Sequence, residues 1–310
     1  MKYEYYFTVF IPAYNRGNTL ERLFRSLENQ IYKDFEVIIV DDGSIDNTKS
    51  LVDQYISISS YDVRYFYQEN QGKPTARNLG VEKAKGMLFK TIDSDDIITD
   101  DCLLVMKETW ESINEKERKH YAGVIGLCAD MNNKEIIGDK FPTDRFDSNH
   151  VLNSTVYNIK GDKTQCIRTD LMKKNKYPLI EGEKFIAESV VWNRISVNYK
   201  FRYVNKVLKY VEYLDDGISK NLIKIRVDNC KSSRLYYQEY VNEVLPSFDV
   251  PKRYIIKGYA NYIRFSLHCD VNFKEQIKDI YNSIYYVMSL PIGIYLNAED
   301  KKKLRKRVKV

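Results

Sequence analysis

Four apolar, β-forming runs separated by helical patterns fill the first hundred residues, and they constrain the fold more than any other feature. Tyr6-Phe7-Thr8-Val9-Phe10-Ile11, Phe35 to Val40, Val63 to Tyr67 and Met87 to Ile92 are continuous rather than alternating. A strand with one wet face alternates, whereas one covered on both faces does not. Between the runs, Leu20, Leu23, Phe24 and Leu27 share one helical face. Leu51, Val52 and Tyr55 do the same, and Thr75 to Ala84 reads as a third helix. The pattern predicts an α/β domain with a mostly parallel sheet and helices on both faces. In such sheets ligands collect at the carboxyl ends of the strands.

Those ends carry the chemistry. Phe89-Lys90-Thr91-Ile92-Asp93-Ser94-Asp95-Asp96 stops a β-forming run in three carboxylates within four positions. Alternating acids at a strand end can aim two oxygens at one point, which suits Mg²⁺ or Mn²⁺ bound through few carboxylates plus substrate phosphates. A solvated acidic turn would have the same sequence. A second acidic strand end, Val40-Asp41-Asp42-Gly43-Ser44, and a polar one after the first run, Pro12-Ala13-Tyr14-Asn15, favour a site. Asn70-Gln71-Gly72-Lys73-Pro74-Thr75-Ala76-Arg77-Asn78 adds cations at a helix start. Lys73 and Arg77, four apart, can face one side and cradle a diphosphate, or be merely solvated bases.

Taken in order, Phe10-Ile11-Pro12-Ala13-Tyr14-Asn15, Val40-Asp41-Asp42-Gly43-Ser44, Gly72 to Asn78 and Asp93-Ser94-Asp95-Asp96 resemble the nucleotide-binding half of family 2 glycosyltransferases. The resemblance implies the GT-A fold (Rossmann-like) and an inverting enzyme that draws on a nucleotide sugar and a divalent cation, Mn²⁺ or Mg²⁺. It places Pro12, Ala13, Tyr14, Asn15 and Asp42 around base and ribose. Lys73 and Arg77 fall near base or diphosphate, Asp93 and Ser94 near ribose or donor sugar, and Asp95 on the metal. Asp100 replaces the proline found there in many members.

Past the helix Leu103–Ile113, Gly123 to Asp130 and Lys134 to Gly138 read as strands, and Phe141 to Asn158 as an irregular, polar binding loop. Pro178 to Arg194 resembles the family segment in which a Glu-Asp pair opens a helix and supplies the general base. An inverting transfer needs one carboxylate to take the proton of the acceptor hydroxyl. Here the pair is Glu188-Ser189, so the usual second carboxylate is missing. Either Glu188 serves as base from one position away, or it is a helix-entry acid favoured by the dipole and the chain binds donor but transfers poorly. Phe201 to Asn205 and Val207 to Val211 read as strands. Tyr213 to Asn221 resembles a loop that closes over the diphosphate, with Ser219, Lys220 and Asn221 as contacts.

The expected organisation is a GT-A domain at 1–223 and a helical region at 224–310, with helices at Ser232–Val244, Lys252–Cys269 and Phe273–Met288. The piece Ile284 to Leu296, interrupted by Pro291 and Gly293, is too short to span a bilayer. Seven of the last ten residues are Lys or Arg, so the end is either an interfacial anchor on an anionic membrane or a core helix with a solvated tail. The net charge of +6 comes with no nucleic-acid motif, which argues against that partner. Five scattered cysteines without a C-x-x-C pair, and no signal-peptide pattern, point to reduced thiols in a cytoplasm, peripheral on the inner membrane face. The expected activity is transfer of a hexosyl or N-acetylhexosaminyl group from a UDP-sugar to a glycan, one linked to lipid. The rival readings are a binding-only relative and a sugar nucleotidyltransferase; the latter class carries a glycine-rich loop where this chain has Pro12 to Asn15.

Overall fold

The computed structural model describes residues 2–212 and 218–307. The chain divides into two compact units. The first comprises Met1–His150, Ile159–Lys176 and Asn198–Tyr213; the second comprises Val151–Asn158, Tyr177–Val197 and Leu214–Val310. This division differs from a single boundary at 223, because internal stretches belong with the C-terminal helices. Side chains explain why: Asn229 Oδ1 accepts from the backbone N–H groups of Lys184 and Phe185 at 2.9 and 3.1 Å. Arg194 also makes a bidentate pair with Glu239 at 2.7 and 2.6 Å.

The strands are β1 (Tyr5–Ala13), β2 (Phe35–Asp41), β3 (Val63–Tyr67), β4 (Gly86–Thr91), β5 (Ile97–Ile98), β6 (Tyr121–Asp130), β7 (Arg145–Ser148), β8 (Lys163–Arg168) and β9 (Lys200–Val211). The helices up to β9 are α1 (Leu20–Glu28), α2 (Thr48–Ile58), α3 (Lys73–Lys83), α4 (Cys102–Glu111), α5 (His150–Thr155), α6 (Thr169–Lys174) and α7 (Ser189–Ser196). After β9 come α8 (Ile218–Asp228), α9 (Cys230–Glu239), α10 (Lys252–His268), α11 (Phe273–Lys278) and α12 (Ser283–Arg307).

Among the described residues the sheet runs β3-β2-β1-β4-β8-β6-β9-β5, with β7 paired on β9. The first four strands are parallel, as their unbroken apolar character predicts. Beyond β4 the sheet is mixed: β8 runs antiparallel to both β4 and β6. The sequence reading missed β8, whose Lys163-Thr164-Gln165-Cys166 stretch carries too little apolar signal. Leu20, Leu23 and Leu27 are fully buried beneath the sheet, and Phe24 stacks on Tyr55 with ring centroids 3.7 Å apart.

Three expected elements differ. Lys134 to Gly138 is no regular strand: it follows a turn at 131–133, where Asp130 Oδ1 accepts from the N–H groups of Asn132 and Asn133, and it meets β6 at a single bridge, Ala129 to Ile136. Phe141 to Asn158 is less irregular than predicted, since it contains β7 and α5. Its start is held by Asn205, which accepts from the Phe141 N–H and donates to the Phe141 and Thr143 carbonyls. The two strands predicted at 201–211 are one, with register shifts against β6 standing in for the break. β1 also runs through Pro12, because β4 pairing ends at Phe10 and Thr91, so no neighbour there requires the missing N–H.

In the second unit, α10 and α12 pack closely. A Cβ at Gly293 would stand 2.6 Å from Ile263 Cβ and 2.8 Å from the Ala260 carbonyl, so only glycine permits this approach. Arg264 and His268 on α10 both grip Asp300 on α12, at 2.5 and 3.1 Å. The predicted helix Phe273–Met288 is broken at 279–282, where Asn282 Oδ1 accepts from the N–H groups of Ile284 and Tyr285 and caps a new helix. That helix then continues through Pro291 rather than breaking there. No helix among the described residues is long and apolar enough to cross a membrane.

Candidate functional site

Parallel register sets the site. Ala13 lies beside Asp41 and Phe10 beside Thr91, so the chain leaves β1, β2 and β4 along one edge of the sheet. The first two exits are stitched together by Asn15, whose φ of +52° bends the loop. Its Oδ1 accepts from the Ile45 N–H at 2.9 Å, and its own N–H donates to Ser44 Oγ at 2.8 Å. Pro12 and Ala13 are buried just behind, and Tyr14 is 48% exposed at the rim.

Asp42 joins β2 to the start of α3. It accepts from Gln68 Nε2 at 2.7 Å and from the N–H groups of Gln71 and Gly72 at 2.9 and 2.8 Å. Gly72 reaches this position with φ +93°, a left-handed conformation that side chains resist. Asp41 is spent on structure, accepting from the Ser44 N–H at 2.8 Å and from Tyr65 Oη at 2.7 Å.

α3 then presents its two cations to the acidic turn. Lys73 Nζ lies 2.6 Å from Asp93 Oδ1, and Arg77 approaches the same oxygen at 3.9 Å. Burial pushes the Asp93 carboxyl up, but Lys73, Lys209 and Arg77 outweigh it and hold the acid well below the usual carboxylate range. Ser94 is buried and Asp95 only partly so. Arg16 stands 3.9 Å from the Asp95 carboxylate. Arg22 donates to the Asp95 carbonyl while pairing with Glu212 at 2.5 Å, which fixes the backbone of the turn.

Asp96 anchors the turn from below through an ion pair with Lys209 of β9. Burial pushes the Asp96 carboxyl up to about 6, against the pull of Lys209. Burial would lower Lys209, yet Asp96, Cys128 and Asp93 keep its ammonium charged beyond the ordinary range. The fully buried Lys90 of β4 donates to Thr164 Oγ, and burial depresses its pKa.

Ten expected donor-site residues are thus on one edge of the first unit: Pro12, Ala13, Tyr14, Asn15, Asp42, Lys73, Arg77, Asp93, Ser94 and Asp95. Glu188 and Ser189 belong to the second unit, Glu188 immediately before α7 and Ser189 as its first residue. Ser189 Oγ donates to Tyr236 Oη at 3.2 Å, and Asn193 Nδ2 donates to the same oxygen at 3.3 Å. Of the expected closing loop, 213–217 and the side chains of Ser219 and Lys220 lie outside the described residues; Asn221 lies in α8. Arg16, Arg22, Lys209, Glu212 and Tyr236 escaped the sequence reading. Each acts on a partner far away in the chain, and nothing local marks it.

Among the described residues no three acidic, histidine or cysteine side chains converge on one point. The Asp95 carboxylate, part-exposed on the turn after β4, is a hard oxygen donor of the kind that suits Mn²⁺ or Mg²⁺.

A mixed α/β sheet with acids and cations gathered at its carboxyl edge is the architecture of the GT-A fold. The model of the family "Glycosyl transferase family 2" matches residues 8–167, and the chain belongs to that family. It is 24% identical over 300 residues to the GalNAc(5)-diNAcBac-PP-undecaprenol beta-1,3-glucosyltransferase of Campylobacter jejuni, covering 93% of this chain and 91% of that protein. Another relative is much longer: an uncharacterized glycosyltransferase of Rickettsia felis is 38% identical over 109 residues, which are 34% of this chain and 17% of that protein. Among solved structures, S. aureus TarS 1-349 in complex with UDP-GlcNAc aligns over 97% of this chain and 91% of its own, with TM-score 0.65 and 17% identity. The mannosyltransferase PcManGT from Pyrobaculum calidifontis, in complex with GDP-Man and Mn²⁺, aligns over 97% and 88%, with TM-score 0.59 and 15% identity. At such identities the two structures speak for the fold.

Proposed function

We propose that this glycosyltransferase moves a hexosyl or N-acetylhexosaminyl group from a UDP-sugar to a hydroxyl of a lipid-linked glycan, with inversion, at the inner face of a membrane. The observation that carries the reading is the Lys73–Asp93–Arg77 cluster beside Asp95 at the ends of β1, β2 and β4. Lys73 and Arg77 are held on the first turns of α3, where an incoming diphosphate meets two cations at the positive end of the helix. Asp93 keeps those cations neutralised until donor arrives, and then accepts from a ribose or sugar hydroxyl. Tyr14, part-exposed, offers a ring face to the base. Asp95 would hold Mn²⁺ or Mg²⁺, which when bound neutralises diphosphate charge. UDP and a lipid-linked acceptor are supported by the bound UDP-GlcNAc of TarS and by the undecaprenol substrate in the Campylobacter name.

Glu188 is the base in this reading: its carboxylate takes the proton of the acceptor hydroxyl as the new C1–O bond forms and the diphosphate leaves. A second reading, donor binding with impaired transfer, is favoured by one observation. The hydroxyl at the usual base position, Ser189, is engaged with Tyr236 and carries no negative charge. A thermal-shift screen of UDP-, GDP- and dTDP-sugars with Mn²⁺ tests the proposal. A cognate donor at 100-fold its Kd adds about 2.7 kcal/mol, and UDP-sugars should give the largest shift. No shift with any nucleotide sugar would refute it.

A further inference from the structure

α12 has two unlike faces. One is packed on α10: Tyr286 and Ser289 are fully buried, Gly293 meets Ile263, and Asn297 and Asp300 bond to Arg264. The other is bare and apolar. Ile284, Val287, Met288, Ile292, Ile294 and Tyr295 are all exposed, Ile284 at 70% and Tyr295 at 64%. Ile284, Met288, Ile292 and Tyr295 follow helical spacing and make one stripe. A stripe of large side chains on one helix is more than the scattered single residues of an ordinary surface. It ends in charge: Lys301, Lys302, Lys303 and Arg305 are exposed on the next turns. Lys302 follows Ile284 by about five helical turns and so continues the stripe. Glu299 pairs with Lys303 at 2.8 Å, but with seven basic residues in the last ten the segment keeps a strong positive excess.

We infer that this face of α12 docks on a bilayer surface rich in anionic headgroups. The helix lies in the interfacial plane, the stripe from Ile284 to Tyr295 enters the headgroup–acyl boundary, and the lysines beyond it contact anionic headgroups. Charge selects the occupant. An apolar face that continues into a cationic segment matches an anionic lipid surface, whereas a second copy would cover the stripe but bring the same positive charge with it. The inference rests on the reading of a membrane-located reaction and names the surface that would hold the enzyme there.

The test uses the full chain and vesicle sedimentation, with phosphatidylcholine alone and with added phosphatidylglycerol. The parent should partition into the anionic vesicles at least about tenfold better than into neutral ones. Met288→Glu/Tyr295→Glu should lose about tenfold or more at both low and high salt, because it removes apolar insertion. Lys301→Gln/Lys302→Gln should lose about fivefold per lysine at low salt and little at high salt. Circular dichroism and UDP titration on the same preparations separate the possibilities. Variants with the parent's spectrum are folded, and absent UDP binding would fault the donor site without touching the vesicle result. The inference is overturned if the parent ignores anionic vesicles, or if the Met288/Tyr295 variant sediments like the parent. It is equally overturned if light scattering shows a dimer that this variant dissociates and no vesicle uptake.

Discussion

Lys73 closes on Asp93, its ammonium 2.6 Å from Oδ1, so the first residue of α3 is bound to the acid that follows β4. The two sides of the donor rim are thereby joined before any ligand is present. The pair also leaves a signature in acid. Burial raises the Asp93 carboxyl, but Lys73, Lys209 and Arg77 lower it further, leaving the folded value below the ordinary 3.8. Stabilisation from the ionised acid is therefore present above pH 3.8 and drains away as pH falls toward the folded value. Thermal melts below about pH 4 should decline less steeply for Asp93→Asn than for the parent. Parallel acid limbs would mean that the pair contributes nothing to the fold.

The close crossing of α10 and α12 predicts a cost for one methyl group. Gly293→Ala would set a carbon 2.6 Å from Ile263 Cβ, against backbone as well as side chain. Overpacking of this kind costs about 1–3 kcal/mol, to be read from the urea midpoint. UDP affinity should be unchanged, since the substitution lies in the other unit from the rim.

Replacing the acid before α7 separates the two accounts of transfer. Glu188→Gln should lower kcat by about 10²–10⁴-fold with donor Kd unchanged, and Ser189→Asp should then add little. Should Glu188→Gln leave kcat intact while Ser189→Asp raises it, the parent is an impaired enzyme and Glu188 a helix-entry acid. In the Ser189→Asp background, Tyr236→Phe probes orientation, because Tyr236 Oη already lies 3.2 Å from the Ser189 hydroxyl. Loss of that hydroxyl should reduce any gain.

Much of the first unit's fold was legible because its signals are local. Continuous apolar strands, helical spacing at Leu20 to Leu27 and polar strand ends follow from a few neighbouring residues each. The acidic turn's supports were not legible, since Asp96 and Lys209 are joined only when β5 pairs with β9. β8 was hidden for a related reason: it is built into the middle of the sheet from a stretch rich in polar residues, and tertiary pairing overrode weak local preference. At α12 the sequence overstated Pro291, whose lost backbone bond is outweighed by the packing of Tyr286, Gly293 and Asp300 on α10. The boundary at 223 followed composition, whereas Asn229, Glu239 and Tyr236 draw the 177–197 segment to the C-terminal helices.

The central claim is that the rim around Asp93 and Asp95 binds a nucleotide sugar together with a divalent cation. Calorimetric titration of UDP into the parent and into Asp95→Ala, each with and without Mn²⁺, tests it most directly. The parent should bind about tenfold or more tightly when Mn²⁺ is present, in keeping with a bridging cation, and Asp95→Ala should lose that gain while keeping the metal-free affinity. If Asp95→Ala responds to Mn²⁺ as the parent does, or if the parent binds no UDP under either condition, the account of this site is wrong.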